Sequence, residues 1–442
     1  MKRPWAAAAG TAIFTSLLFS VVYNLCNHLT AIRPDVGVWA FGWEQYWPMI
    51  AAFIIPYWSI DALFFLAPFV CTSAGELAVY RRRIVFTILG GGLCFLLIPL
   101  KFGYPRPHVT GTFQPWFQTL YGFDLPHNLF PSLHIALRTL LTSIYLRKGG
   151  RITRWLVHGW FCAIGVSTIF TWQHHLVDVL GGFWLAAIAI QFYPFDESTP
   201  ARGVNLRVAA YYGAGALVLS QLARLSWPWT FPLVWPAFAL GAASYAYCGL
   251  GGSLYRKEQG DLTLLTRVLF APLLFGQWLS LLYYRRKSDR WNALTPNVWI
   301  GALPTEEDAR EAIAKGVTAV LDLTVEFAEV PCFCSLRYYY HLPVLDLTAP
   351  TQSQLEEAAR IIEREAARGI IFVHCKAGYS RTAAAVGAWL LRTEQSAKLT
   401  EVIELLQTKR PGIIIRPEVR SGLQLLMESQ GAERSALDPQ FL

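Results

Sequence analysis

The chain has 442 residues, of which 54% are apolar and only 15% charged, with 38 Lys+Arg against 30 Asp+Glu; this excludes intrinsically disordered and collagen-like chains. The charge is unevenly placed: residues 1–290 carry 23 basic and 11 acidic side chains, residues 291–442 carry 15 and 19. That reads as a charge-poor, basic membrane part fused to a globular part of ordinary composition, and because the basic residues sit between apolar runs no nucleic acid partner is implied.

Apolar runs long enough to cross a bilayer, or nearly so, fall at 11–31, 48–70, 84–100, 131–147, 155–172, 174–193, 208–224 and 231–248. A ninth, 265–284, is interrupted by Arg267, Pro272 and Gly276 and is read as interfacial or re-entrant rather than as a span. The first run follows Met1-Lys2-Arg3, but no small-x-small cleavage site follows Tyr23-Asn24-Leu25-Cys26, so it is expected to be a retained anchor. With the N-terminus inside, the cytoplasmic loops are expected to hold Arg81 to Arg83, Arg147, Lys148, Arg151 and Arg154. Cys26, Cys71, Cys94, Cys162 and Cys248 lie in apolar segments and read as small hydrophobes. Cys332 and Cys334 have no second pair at zinc-site spacing, so no disulfide framework, metal or cofactor is expected.

Three pieces of the apolar part carry chemistry: Lys101-x4-Arg106-Pro107, Pro131-Ser132-Leu133-His134, and His174-His175-Leu176-Val177-Asp178. All fall at the ends of runs on the non-cytoplasmic face. Alone, any one of them reads as an interfacial polar group. Together, two histidines, a carboxylate, a hydroxyl and two cations at one depth suit phosphoryl transfer: cations neutralise phosphate oxygens, one imidazole attacks and another protonates the leaving oxygen.

These pieces resemble the type-2 phosphatidic acid phosphatase superfamily over about 84–193, within a six-helix core of about 11–193. The Pro-Ser-Leu-His and His-His-x-x-x-Asp forms are similar to its inositol-phosphorylceramide-synthase-like branch. The resemblance implies His174 as nucleophile, Asp178 as its orienter, His134 as acid, and Lys101, Arg106 and Ser132 as phosphate ligands. Two departures direct the reading towards phosphodiester transfer or an inert site rather than hydrolysis. The Lys101–Arg106 spacing is shorter than in the hydrolases, and Thr168 stands after Ser167 where an Arg is expected. Arg138, one turn from His134 on the same face, is the candidate replacement cation.

From Trp291 short strands alternate with amphipathic helices. A strand begins at Val298-Trp299-Ile300-Gly301, and a helix over Thr305 to Lys315 is closed by Gly316. Val317 to Thr324 and Ile370 to Val373 read as buried strands. Between them Thr351-x-x-Gln354 forms a capping box, opening a helix that Gly369 ends. Such alternation implies a parallel sheet covered by helices. After the second buried strand comes His374-Cys375-Lys376-Ala377-Gly378-Tyr379-Ser380-Arg381-Thr382. A loop from strand to helix turns its amides towards an anion and depresses a thiol pKa. Arg381 can grip two phosphoryl oxygens. The leaving alkoxide needs an acid, for which Asp346 stands 29 residues upstream; Asp322 is read as structural.

This part resembles the Cys-based dual-specificity phosphatases over about 297–430. The resemblance implies Cys375 as nucleophile, Arg381 as transition-state clamp, Asp346 as acid, and Thr382 as a hydroxyl aiding breakdown of the phosphoenzyme. The loop Lys376, Ala377, Gly378, Tyr379 and Ser380 would bind phosphate. Lys376-Ala377-Gly378 is similar to lipid-directed members, and the whole chain resembles tandem fusions found as bacterial inner-membrane proteins.

The expected fold is an all-α polytopic membrane domain (1–285), a linker (286–296), an α/β phosphatase domain with a parallel-rich sheet (297–430) and a tail (431–442). The expected function is a membrane-bound phosphomonoesterase acting on an anionic phospholipid, with a second, His-dependent phosphatase or phosphotransferase site. The alternatives are a tethered protein phosphatase and a phosphate-lipid sensor with an inactive membrane site. The phosphatase domain is expected in the cytoplasm and the His site on the periplasmic side.

Overall fold

Helices 5–31 and 51–70 combine the length and apolarity needed to cross a bilayer, while Leu176–Phe192 is apolar but shorter. The computed structural model describes residues 3–195, 203–225, 230–250, 254–393 and 398–437. The chain packs as two units, Met1–Glu197 and Ser198–Leu442.

The first unit contains α1 (Trp5–Ala31), α2 (Ile54–Val70), α3 (Ala74–Leu97), α4 (Gln114–Phe123), α5 (Leu133–Tyr145), α6 (Arg151–Phe170) and α7 (Leu176–Phe192). Helix α1 packs on α2 and α3, and α5 is wrapped by α2, α3, α6 and α7. Ile60, Ile84, Ile88, Phe95, Leu140 and Ile164 are buried between them. The outward faces stay apolar, with Phe14, Leu17 and Val21 on α1, Leu89 and Leu93 on α3, and Trp155 and Leu156 on α6 all exposed. Patches of this extent suit a lipid environment.

Two expectations change here. Arg81 to Arg83 lie inside α3 rather than in a loop, because Ser73 caps the helix a full turn and more before them. Buried Arg83 donates to the Tyr193 carbonyl at 2.7 Å and the Ser143 hydroxyl at 3.3 Å. Helix α4 has no clear signature in the sequence, since its ten residues are too few to show a period.

The second unit begins with α8 (Leu206–Leu225) and α9 (Val234–Tyr247), a small hairpin of β1 (Lys257–Glu258) and β2 (Asp261–Leu262), then α10 (Leu264–Leu269) and α11 (Ala271–Arg285). The α/β part follows: β3 (Trp291–Thr295), β4 (Val298–Ala302), α12 (Glu306–Ala314), β5 (Val317–Asp322), α13 (Pro331–Cys334), β6 (Tyr338–His341), α14 (Gln352–Ala366), β7 (Ile370–Cys375), α15 (Ser380–Thr393), α16 (Leu399–Lys409) and α17 (Pro417–Leu437). Composition suggests a boundary at 285, whereas the packing groups 206–285 with the α/β part. Arg285 binds the Leu303 and Pro304 carbonyls, and Lys257 forms a buried ion pair with Asp322.

The sheet order is β3-β4-β7-β5-β6, parallel except for β3. Residues 291–295, assigned to a linker from sequence, are therefore an edge strand; Trp291 stacks on Trp299 of β4 at 6.0 Å. Helix α17 likewise runs into the segment set aside as a tail. Alternation along β7 sends Ile371 and Val373 to the face covered by α14, α15 and α17, and Phe372 to the face covered by α12 and α13. Sheet and helices thus hold the end of β7 rigid where Cys375 stands.

Two candidate active sites

Cys375 is the last residue of β7, and α15 starts five residues later at Ser380. The loop between them needs Gly378: its φ is +71°, and a Cβ there would strike the Gly301 carbonyl. Arg410, just past the end of α16, secures the same loop, donating to the Ala377 carbonyl at 3.1 Å and to Asn292 at 2.6 Å.

Arg381 is buried and held in a fork. Its Nη1 and Nη2 donate to Glu326 Oε2 and Oε1 at 3.0 and 2.6 Å, and Nη1 also reaches the Val344 carbonyl at 3.0 Å. Asp346 lies 3.2 Å from Arg381 and accepts from Lys376 Nζ at 2.6 Å. Burial alone would raise the Asp346 carboxyl, but Arg381 and Lys376 prevail and hold it at about 2. Burial also pushes the Cys375 thiol up, yet the Arg381 charge and the adjacent Thr382 hydroxyl and amide bring it below its ordinary value. Thr382 is fully buried. A cavity of about 450 Å³ opens over Cys375, Lys376, Ser380 and Arg381.

Behind the loop, His374 Nε2 is 2.6 Å from Glu329. Burial works against its protonation, but the Glu329 charge outweighs burial and raises the imidazole. Asp322, Glu329 and His374 come close enough to hold a cation. The Lys257 ammonium meets Asp322 and the Thr324 hydroxyl, so one of the three groups already has a side-chain cation as its partner. No motif in the sequence marks Lys257, Glu326 or Glu329. Glu326 and Glu329 follow a strand end, the one signal that could have marked them, while Lys257 comes from a hairpin 65 positions away.

In the first unit His134 and His174 line one cavity of about 230 Å³ with Tyr23, Tyr57, Asp61 and Asp124. The His134 ring stacks on Tyr57 at 4.1 Å between centroids, and the Tyr23 hydroxyl donates to Asp124 at 2.7 Å. His174 Nδ1 is 3.7 Å from Asp178, which also accepts the His175 amide and so caps α7. Both ring nitrogens of His175 are engaged, Nδ1 with Glu44 at 2.6 Å and Nε2 by the Gly103 amide at 3.0 Å. Of the two neighbouring histidines, His174 is therefore the one free to meet a substrate. Arg106 stacks on Tyr121 and lines an adjoining recess with His174.

The structure does not bring the other expected ligands to this cavity. Ser132 is buried and caps α5, its hydroxyl accepting the Ile135 amide. Lys101 is exposed and does not line the cavity. Arg138 also lies away from it, against Gly165 and over Phe183. Helical spacing from His134 placed it on one face, but neighbouring α6 and α7 cover that turn. Tyr23 and Asp124 were missed; an isolated acid in a charge-poor segment was the available signal.

A thiol lowered by a guanidinium, an anion-cradling strand–loop–helix and an ion-paired carboxylate beside it define a Cys-dependent phosphoric monoester hydrolase. The family model "Dual specificity phosphatase, catalytic domain" matches residues 298–428 and "PAP2 superfamily" matches residues 82–196. Phosphatidylglycerophosphatase and protein-tyrosine phosphatase 1 of Mus musculus is 30% identical over 37% of this chain and 89% of its own length; the Homo sapiens protein of that name is 28% identical over 35% and 81%. Phosphatidylglycerophosphate phosphatase PTPMT2 of Arabidopsis thaliana is 26% identical over 35% and 69%. The solved structure of PTPMT1 in complex with PI(5)P is 24% identical, covering 33% of this chain and 99% of that one, with a TM-score of 0.31. The chain belongs, through its C-terminal domain, to the dual-specificity phosphatase family, and it carries a PAP2 domain before it.

Proposed function

We propose that the C-terminal site hydrolyses an anionic phospholipid phosphomonoester, with Cys375 as nucleophile, Arg381 as clamp, Asp346 as general acid and Thr382 assisting breakdown of the phosphoenzyme. The observation that carries this is the pair of cations, Lys376 and Arg381, both resting on Asp346. An arriving phosphate dianion takes both cations, and the carboxyl, freed from them, rises towards the range in which it can hold a proton. The thiolate sulfur then bonds to phosphorus as the ester P–O bond breaks, and the Asp346 proton goes to the leaving oxygen. Water next attacks the phosphocysteine, giving its proton to Asp346 and releasing phosphate and thiolate.

A lipid head group suits a second cation in the loop better than a phosphotyrosyl side chain with one phosphate, and the mouse and Arabidopsis relatives are named for phosphatidylglycerophosphate. The alternative is a tethered protein phosphatase; the same mouse relative is also named a protein-tyrosine phosphatase. For the first unit we propose a His174-dependent phosphatase or phosphotransferase with Asp178 orienting, His134 as acid and Arg106 as phosphate ligand. The PAP2 domain and the apolar helices support a membrane protein, and the reading extends to a bacterial inner membrane, where such tandem fusions are found. Helix α11 has 15 residues, about 22 Å at the usual rise, and its run is interrupted by Pro272 and Gly276, which supports an interfacial segment. Arg285, Arg286, Lys287 and Arg290 after it support a cytoplasmic phosphatase domain.

The test is phosphate release by the detergent-purified full chain from phosphatidylglycerophosphate, phosphoinositides and phosphotyrosyl peptides, with Cys375→Ser and His174→Ala in parallel. Cys375→Ser should lower release from the preferred phospholipid about 10³-fold or more. A preference for peptides, or lipid hydrolysis untouched by Cys375→Ser, overturns the proposal.

A further inference from the structure

The cavity over Cys375 is larger than a phosphate needs, and nearly half of the residues in its wall do not come from the phosphatase fold. Leu273, Gly276, Gln277, Ser280 and Tyr284 of α11 line it. Their spacing of three, one, three and four residues is one stripe of a helix. Leu240 and Tyr247 of α9 and Tyr212 of α8 complete the apolar side. The lining is therefore mixed. Lys376, Arg381, Arg416 and Asp346 supply charge, Gln277 and Ser280 polar groups, and Leu240, Leu273 and the tyrosine rings aliphatic and aromatic carbon.

This wall is fixed to the loop. Arg285 donates to two carbonyls after β4 at 2.9 and 3.0 Å. Ser288 and Tyr379 share a hydrogen bond of 2.6 Å, and the Tyr284 ring stands 5.9 Å from the Lys376 ammonium. The opposite stripe of α11 leaves Phe275, Trp278, Leu279 and Tyr283 exposed, as expected of a helix whose back lies against lipid. An extended peptide laid along the wall would leave backbone N–H and C=O groups facing carbon.

We infer that this cavity is a lipid-binding site, in which α8, α9 and α11 hold the glycerol backbone and first acyl methylenes of a phospholipid phosphomonoester that enters from the bilayer. The inference rests on the lipid phosphatase reading above and deepens it: the helices are part of the substrate site rather than a tether. A pocket of about 300–1,000 Å³ is the usual size for binding such a portion of a ligand.

Two measurements on the full chain test it. With monomeric, water-soluble diacyl phosphomonoesters, kcat/KM should rise about tenfold or more from two-carbon to six-carbon chains, because each buried methylene adds binding; a flat profile overturns the inference. At Gly276 a Cβ meets no atom within 4 Å, so Gly276→Leu extends into open space. It should lower the ratio of kcat/KM for the six-carbon lipid to that for an aryl phosphate about tenfold or more. A folded Gly276→Leu protein with the wild-type ratio overturns the inference. Should Gly276→Leu not fold, the wild-type chain-length profile decides alone. Failure of the underlying reading looks different: no lipid monoester is hydrolysed at any chain length while phosphotyrosyl peptides are.

Discussion

The two candidate sites handle charge in opposite ways. In the C-terminal site the charged groups around Cys375 are paired: Arg381 with Glu326, Asp346 with Lys376, His374 with Glu329, and Asp322 with Lys257. In the N-terminal site, among the described residues, His134 Nε2, His174 Nδ1 and Asp178 Oδ1 have no hydrogen-bond partner. A guanidinium is always charged, so burying it demands a counter-ion in every state of the cycle. An imidazole can wait neutral until a phosphate arrives, at a lower desolvation cost. The Cys site is thus preorganised by ion pairs, whereas the His site relies on helix ends and stacking to place groups that only substrate completes.

The strongest way to break this comparison is at the two adjacent histidines. In a Cys375→Ser background, His174→Ala should remove about 10³-fold or more of any remaining lipid phosphatase or phosphotransferase activity. His175→Ala should act mainly on stability, because His175 joins Glu44 and Gly103. Product analysis with thermal denaturation of both variants separates the roles, and equal activity loss with unchanged melting would remove the distinction. Next in size is the Arg381 counter-ion. Glu326→Ala leaves a buried guanidinium without its fork and should destabilise the α/β part by about 3 kcal/mol, read as a lower denaturation midpoint. A wild-type midpoint would show that Val344 and Asp346 suffice.

The smallest effect concerns the thiol. The Asp346 charge opposes ionisation of Cys375, so Asp346→Asn should move the pH profile of iodoacetamide inactivation to lower pH. The sign follows because removing a nearby negative charge favours the thiolate. A shift to higher pH would mean that Asp346 acts on Cys375 chiefly by holding Lys376 in place.

Much of the C-terminal site is legible in the chain because its parts lie close together. Cys375, Gly378 and Arg381 fall within seven residues, and a buried strand before them and a helix after them set the loop path. The expectation of a mostly parallel sheet with flanking helices follows from the same alternation. The N-terminal site was legible in outline only. His134 and His174 share a cavity, but Lys101 and Ser132 do not join them there, because motif spacing states which residues are near in sequence and not which way the loop turns.

The sequence by itself determined the division into an apolar helical part and an α/β part, the strand–loop–helix around Cys375, and the closeness of His174 to Asp178. Each rests on local periodicity or on residues within one turn of each other. Tertiary structure alone decided the counter-ions and the walls. Glu326 reaches Arg381 across 55 positions and Glu329 reaches His374 across 45, and acidic side chains are too common for such partners to be picked from composition. The segment of α11 reads as interfacial until the fold places Leu273, Gln277 and Ser280 over Cys375. Periodicity tells that a helix face will be buried; only the packed chain tells against what.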